Sequence, residues 1–543
     1  MHIFIKNIKK IVALSLSLCL AICLLTGCNA GNTGKSVLSS SNAPDDNYRN
    51  YYEIFVYSFY DSNGDGIGDI EGVRQKLSYI KDMGFNGIWL TPIMPSDSYH
   101  KYDVKDYKDI DPEFGTLDDM QNLLKDAHKK GIRIIIDFVM NHTSSENDWF
   151  IEATDYLKGL DENDSRSFEE MADECQYVGY YHFSKEKKSE YYHEVTGTKY
   201  YYEGYFSYNM PDLNLDNELV RKEFEDIASF WVNDMGVDGF RMDAVPHYSE
   251  DEDIAYNTEI MSWLYNYCKN INPDFYMVSE AWVGEATTAK YYQSKTDSMF
   301  NFNAAGAEGH IIATARGTGN ASAFVNTMKY YETLFGDVYS DYIDAVFITN
   351  HDQARVANAL MSDEAALKYA GGLLMSMNGS TFVYYGEEIG MSSKGTKDEN
   401  KRLPMRWSET DSTGMTSGPE DADPDIEQKF EPVDKQTSDQ NSILNYYKKA
   451  LSIRNSYPEI ARGTISIVDE LTDGKLATIF KTYNNSSIAI VYNNSASESR
   501  EIDVTDTPIE DLSIVGYLTV DGSTITVENG VLTLPARSIV YLK

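Results

Sequence analysis

Cysteine is scarce in this chain, with five in 543 residues, and two of them, Cys19 and Cys23, fall in an N-terminal apolar run. The remaining three, Cys28, Cys175 and Cys268, form no disulfide framework, and whether the last two pair stays open at this level. Positive charge is also short. Lys and Arg number 47 against 85 Asp and Glu, a formal balance of −38, which argues against nucleic acid or an anionic surface as partner and for solubility and cation binding. A neutral polysaccharide is unaffected by such a charge. The apolar run at 11–25 follows Lys6, Lys9 and Lys10 and is too short to span a bilayer comfortably, so it reads as a removable targeting segment. No internal repeat is visible.

What is present is alternation. From residue 53 onward, short β-rich apolar runs at 54–59, 87–91, 133–139, 237–243, 275–280, 298–302, 345–349 and 381–385 are separated by amphipathic stretches such as 219–235 and 254–270. Eight βα units predict a (β/α)8 TIM barrel, whose site lies at the C-terminal ends of its strands. Some 70 residues after the third strand are too many for a βα loop and predict an inserted domain. Its aromatic clusters at 177–181 and 200–202 suggest an irregular β-rich unit overhanging a cleft. After residue 454 the pattern turns to alternating runs at 464–468, 477–482, 488–492 and 538–542, an all-β sandwich. The acidic 408–434 stretch reads as a long surface loop. The expected layout is a signal at 1–27, a flexible tether at 28–48, barrel at 49–142 and 211–458, inserted domain at 143–210, and C-terminal β domain at 459–543.

Two strand ends carry the most chemistry. In the segment 237–243, period two puts Arg241 and Asp243 on one face and Phe240 and Met242 on the other. Arg241 beside Asp243 favours its ionised form. The segment 275–280 ends in Glu280, and two adjacent strands roughly 4.8 Å apart would bring both carboxyls near the about 5 Å separation of a retaining glycosidase. Strand three leads to Asp137 and His142, and strand seven to His351 and Asp352. Forty-one tyrosines against 22 phenylalanines suit a surface that stacks on sugar rings, or compositional drift.

Four strand ends bearing Asp137/His142, Arg241/Asp243, Glu280 and His351/Asp352, in that order and spacing, resemble the motif regions of the α-amylase clan of glycoside hydrolases. The resemblance runs from the Asp61 loop to the terminal β domain. It implies that Asp243 is the nucleophile, Glu280 the general acid/base, and Asp352 the carboxylate that binds sugar hydroxyls and stabilises the distorted ring. Two ionised neighbours and nearby Trp282 would keep Glu280 protonated for its first task. His142 and His351 would bond the same sugar, with Arg241 holding Asp243 charged. The string at 98–103 is similar to the clan's His-Gly-Tyr motif, with Lys101 in place of glycine, so that Tyr102 would stack on the sugar beside His100. The lysine would crowd the backbone or reach toward a hydroxyl.

Asp61, Asn63, Asp65, the Ile67 carbonyl and Asp69 offer oxygens at alternate positions, as a calcium loop requires, although Gly72 stands where an EF-hand has its glutamate. In relatives a similar string binds structural Ca2+. Met210 to Asn214 resembles the motif of an intermediate group between oligosaccharide α-glucosidases and neopullulanases, one that includes secreted lipoprotein α-amylases. Ala244 resembles α-1,4-cleaving members, where α-1,6-glucosidases usually carry valine. Leu25-Thr26-Gly27-Cys28 resembles a bacterial lipobox, with Cys28 as the lipidated first residue and an extracytoplasmic, lipid-anchored protein as the consequence.

The expectation is therefore a monomeric, calcium-containing α-amylase acting on internal α-1,4 bonds of starch and maltooligosaccharides. The alternatives are an α-glucosidase, a neopullulanase or cyclomaltodextrinase, or a 4-α-glucanotransferase acting on shorter α-glucans. More remote is a non-catalytic glycan-capturing protein of the cell surface.

Overall fold

A computed structural model describes residues 44–543 apart from 162, 250, 251, 318 and 319; the expected signal at 1–27 and Cys28 lie outside the described residues. In chain order the first strands are β1 (Asn50–Ile54), β2 (Gly87–Leu90) and β3 (Arg133–Phe138). The inserted β4 (Phe183–Ser184), β5 (Tyr192–Glu194) and β6 (Tyr201–Glu203) come next, followed by β7 (Gly239–Met242), β8 (Tyr276–Ser279), β9 (Ser298–Phe300), β10 (Ile343–Phe347) and β11 (Ser380–Tyr384). The eight strands other than β4–β6 close in the order β1-β11-β10-β9-β8-β7-β3-β2, all parallel. This is the expected TIM barrel.

Period two sorts its side chains. Tyr51, Trp89, Ile135, Tyr276, Val278, Phe300, Phe347 and Phe382 fill the interior, while Ile88, Ile136, Phe240, Met242 and Met277 face the helix layer. Phe240 stacks on Phe138 at 4.2 Å, outside the barrel. Gly239 allows β7 and β8 to close, since a Cβ there would meet the Tyr276 carbonyl oxygen at 2.1 Å.

The first strand lies earlier than the expected 54–59. The ladder ends at Ile54, and Val56–Ser58 forms a 3-10 turn. A continuous buried apolar run does not by itself separate a strand from a buried turn. Likewise β10 begins at Ile343 and stops at Phe347, so His351 and Asp352 stand on the loop beyond it.

In the insert, a three-stranded sheet β4-β6-β5 meets the helix Asp148–Lys158 through Phe150, whose ring contacts Phe183 and Tyr202. Tyr180, Tyr181, Tyr200 and Tyr202 are buried; they are the core of the insert rather than a platform over the cleft. Burial claims much of the tyrosine excess elsewhere too, as at Tyr51, Tyr52, Tyr369, Tyr446 and Tyr541.

The C-terminal strands are β12 (Thr464–Ile467), β13 (Leu476–Tyr483), β14 (Ser486–Asn493), β15 (Arg500–Asp503), β16 (Ile514–Thr519), β17 (Thr526–Glu528), β18 (Val531–Leu534) and β19 (Ser538–Leu542). They form two sheets, β12-β13-β14-β19-β16 and β15-β18-β17. Ala489, Val491, Val540 and Leu542 pack between the sheets. Ile479, Ile490, Ile539 and Tyr541, on the other face, join the barrel core. Cys175 and Cys268 are both free thiols.

Candidate active site

Inward alternation delivers Glu53, Asp137 and Arg241 to the upper barrel, and the ladder pairs Asp137 with Arg241 directly. Met242 pairs with Ser279, so Asp243 and Glu280 leave neighbouring strands at the same height. Arg241 is fully buried between them. Its Nη1 reaches Asp243 Oδ1 at 2.5 Å and Asp137 Oδ1 at 2.8 Å, and its Nη2 reaches Glu280 Oε2 at 2.9 Å. After Asp243 the chain turns through Ala244 in the left-handed region, φ 49°, unusual for a residue with a Cβ. That bend points the Ala244 N–H at Glu280 Oε2, 3.0 Å away.

Arg241 thus serves three carboxylates rather than Asp243 alone. Burial pushes the Asp243 carboxyl above its ordinary value, with Arg241 opposing. Burial also raises Glu280; Arg241 opposes, and the nearby Asp243 and Asp352 carboxylates add to the rise. Water exclusion is therefore the leading cause at Glu280. Trp282 stacks on Phe302 at 4.8 Å and remains 55% exposed, as a ring on the cleft wall. Asp137 rises to about 7, first through burial, and accepts from Tyr102 Oη at 3.0 Å and Trp89 Nε1 at 3.2 Å.

Across the mouth, His351 Nδ1 lies 2.7 Å from Glu53 Oε1, and its Nε2 lies 3.0 Å from Asp352 and 2.7 Å from Tyr102 Oη. Burial works against the imidazolium, but Asp352 and Glu53 lift His351 to about 9. Burial also works against the Asp352 carboxylate; His351 and Arg402 nevertheless hold it far below the usual range, with Arg402 Nη2 at 2.9 Å. His142 and His100 are each lowered to about 4, chiefly by burial, and stay neutral. His142 Nε2 is buried without a partner, a free position for a ligand hydroxyl.

These groups open onto one cavity of about 470 Å³, lined by Asp243, Glu280 and Asp352 together with His100, Tyr102, His142 and Trp282. Arg241 and His351 lie beneath it. A larger cavity of about 650 Å³, between the 61–69 loop and the 403–428 segment, holds none of the three carboxylates. Chemistry, not size, places the site.

Lys101 neither crowds the cleft nor reaches into it. Its ammonium turns away to Asp111 at 2.9 Å and Glu113 at 2.6 Å.

The 61–69 loop is wound by its own N–H groups. Asp61 accepts from Asn63, Gly64 and Gly66, Asn63 from Asp65, and Asp65 from Ile67, while Asp69 caps the helix Ile70–Met83 through Gly72 N. An all-oxygen donor set suits a hard cation. Among the described residues no three His, Cys, Asp or Glu side chains converge as a metal cluster, so an ion there would lean on the Asn63 amide and the Ile67 carbonyl.

Three residues that matter here had no role assigned from sequence. Glu53 fell just before the expected 54–59 run, and only the earlier strand Asn50–Ile54 puts it on the inward face. Arg402 follows a short 3-10 turn and carries no sequence signal at all. Phe206, 46% exposed on the cleft wall, shows itself only through its surroundings.

Comparison with known proteins gives the family and the fold. Residues 53–463 match the family described as Alpha amylase, catalytic domain. Alpha-amylase 3 of Dictyoglomus thermophilum is 36% identical over 474 residues, covering 83% of this chain and 86% of its own. The solved structure of Eubacterium rectale Amy13B superposes with a TM-score of 0.87 at 43% identity, over 93% of this chain and 96% of that one. An oligo-1,6-glucosidase of Heyndrickxia coagulans is 29% identical, covering 84% of this chain and 93% of its own.

Proposed function

The chain belongs to the alpha-amylase family of glycoside hydrolases, and from that premise we propose that it cleaves internal α-1,4-glucosidic bonds of starch and maltooligosaccharides with retention. One observation carries the reading: Asp243, Glu280 and Asp352 line a single open cavity. Asp243 attacks the anomeric carbon while Glu280, its proton held by burial, protonates the leaving oxygen. Glu280 then takes a proton from water, which releases the sugar from Asp243. One guanidinium touching both carboxyls keeps them on the scale of the about 5 Å that a covalent route requires. Asp352 and the unpartnered His142 Nε2 grip the hydroxyls of the reacting ring and Tyr102 supplies its stacking face, while His351, expected from sequence to bond the same sugar, is buried beneath the cavity and orients Asp352 and Tyr102 instead. Phe206 and Trp282, exposed on the cleft wall, suit a chain that continues past the cut. Ala244 after the nucleophile favours α-1,4 over α-1,6 bonds.

Asp243→Asn should abolish release of reducing sugar from soluble starch with the fold intact, and unaltered activity would sink the assignment. Products from amylose, pullulan and a cyclodextrin test the finer claim. Mixed maltooligosaccharides support internal cleavage. Glucose alone, or release from α-1,6 bonds, would move the protein toward the oligo-1,6-glucosidase relatives.

The same reading includes Ca2+ at Asp61, Asn63, Asp65, Ile67 and Asp69 as a stabilising ion, and lipidation at Cys28 that anchors the protein outside the cytoplasm. Chelation that leaves Tm unmoved, with no calcium by elemental analysis, would remove the first. A Cys28→Ser chain that stays with the membrane would remove the second.

A further inference from the structure

Lys101 sits in a conformation that ordinary residues avoid. Its φ is 64°, in the left-handed region that favours glycine, and the residue is only 2% exposed. A bend of that kind persists only where its surroundings over-determine it. Here the surroundings are specific. The ammonium contacts Asp111 Oδ2 at 2.9 Å and Glu113 Oε2 at 2.6 Å, and donates to the Ser96 carbonyl at 3.2 Å. The Lys101 N–H donates to Ser98 Oγ at 3.1 Å. Asp111 is itself fixed, accepting from Ser96 N at 3.0 Å and Glu113 N at 2.9 Å.

The bend has a catalytic side. On one flank His100 Nδ1 accepts from Tyr102 N at 3.1 Å, which directs the His100 ring into the cavity. On the other, the Tyr102 ring stacks on His351 at 5.6 Å, and its hydroxyl meets Asp137 and His351. Both rings line the cleft. The ammonium points the opposite way, so it reaches no bound sugar.

We propose that Lys101 is a positioning residue for the hydrolysis: its buried ammonium, clamped by Asp111 and Glu113, holds the left-handed bend that presents Tyr102 and His100 to the reacting sugar. The inference rests on the hydrolase reading above. Tyr102 touches the groups around the nucleophile, so its placement counts most as charge develops on the sugar ring, and a displaced Tyr102 lowers kcat more than it raises KM.

Three variants separate the clamp from the strain. Lys101→Met keeps the strained Cβ and removes the charge; Lys101→Gly removes both; Asp111→Asn weakens the clamp from the other side. On soluble starch each is expected to lose at least about tenfold in kcat, the scale of a displaced catalytic contact, while KM moves by less than about threefold. Lys101→Gly, freed of the strained bend, should melt no lower than Lys101→Met and still be slow. Lys101→Gly retaining the parent kcat would overturn the proposal, because glycine alone would then suffice. If Lys101→Met fails to fold, the kcat and KM of Lys101→Gly and Asp111→Asn decide. A parent protein inactive on starch would instead count against the hydrolase reading itself.

Discussion

At the barrel mouth Arg241 is shared by Asp137, Asp243 and Glu280, whereas at the seam with the C-terminal sheets two buried basic side chains donate only to neutral oxygens, the Asn50 amide oxygen among them. Arg454 donates to the carbonyl oxygens of Met375, Met377 and Gly379 at 2.6–3.0 Å. Lys481, on the barrel side of β13, donates to those of Ser376 and Ile460 at 2.6 and 2.7 Å. Each seam cation sits on chain ends that would otherwise be buried and unsatisfied. At the mouth the charges oppose one another, and Arg241 Nε still lacks a partner. Buried charge that saturates its neighbours holds domains together; buried charge left partly unsatisfied is available for chemistry.

Four measurements break or sharpen that contrast. Glu280→Gln at the mouth should cut kcat on starch by about 10³-fold, the scale of a lost general acid, with a urea midpoint close to the parent's. A large loss of stability instead would make Glu280 a structural residue. Arg454→Met at the seam should do the reverse. Three stranded carbonyls should lower unfolding free energy by about 3 kcal/mol, while kcat per folded molecule holds; a selective loss of kcat would contradict the division.

The two regions should also answer pH with opposite slopes. His351 is raised to about 9 from an ordinary value near 6.5. Its contribution to stability is complete below pH 6.5 and lost as pH rises through 9, at most about 3 kcal/mol in all. Burial and the adjacent Arg454 pull Lys481 well below its ordinary value. The unfolded chain then binds the extra proton, so this contribution grows with pH. Denaturation midpoints from pH 6 to 9.5 should flatten in His351→Gln, and the Lys481→Met difference should run the other way. Slopes of the same sign would refute the contrast. The smallest effect belongs to Trp282→Ala, which should raise KM for long maltooligosaccharides by up to about tenfold, the value of one aromatic platform; an unchanged KM would take Trp282 out of the binding surface.

Much of the site was legible because strand periodicity and ordered motifs are local. Arg241 and Asp243 had to share a face once 237–243 was a strand, and Glu280 had to end the next one. The neighbours that set their charge state were not legible. Glu53 lies 298 residues from His351 in the chain, and Arg402 lies 50 from Asp352, so no window of sequence holds either pair. The direction of Lys101 was equally hidden, because a left-handed bend reverses a side chain without leaving a compositional trace. Tyrosine content left a sugar-stacking surface and compositional drift equally open, and many of the rings fill cores, as Tyr180, Tyr200 and Tyr446 illustrate.

The amino-acid order by itself determined the eightfold alternation, the strand ends bearing acids, and the all-β C-terminal character, since each follows from side-chain period and local turn chemistry. Only the tertiary structure decided which carboxyl each cation serves, which histidine is charged, and which way Lys101 turns. Those outcomes depend on water exclusion and on distances between groups far apart along the backbone, and neither quantity exists until the barrel has closed.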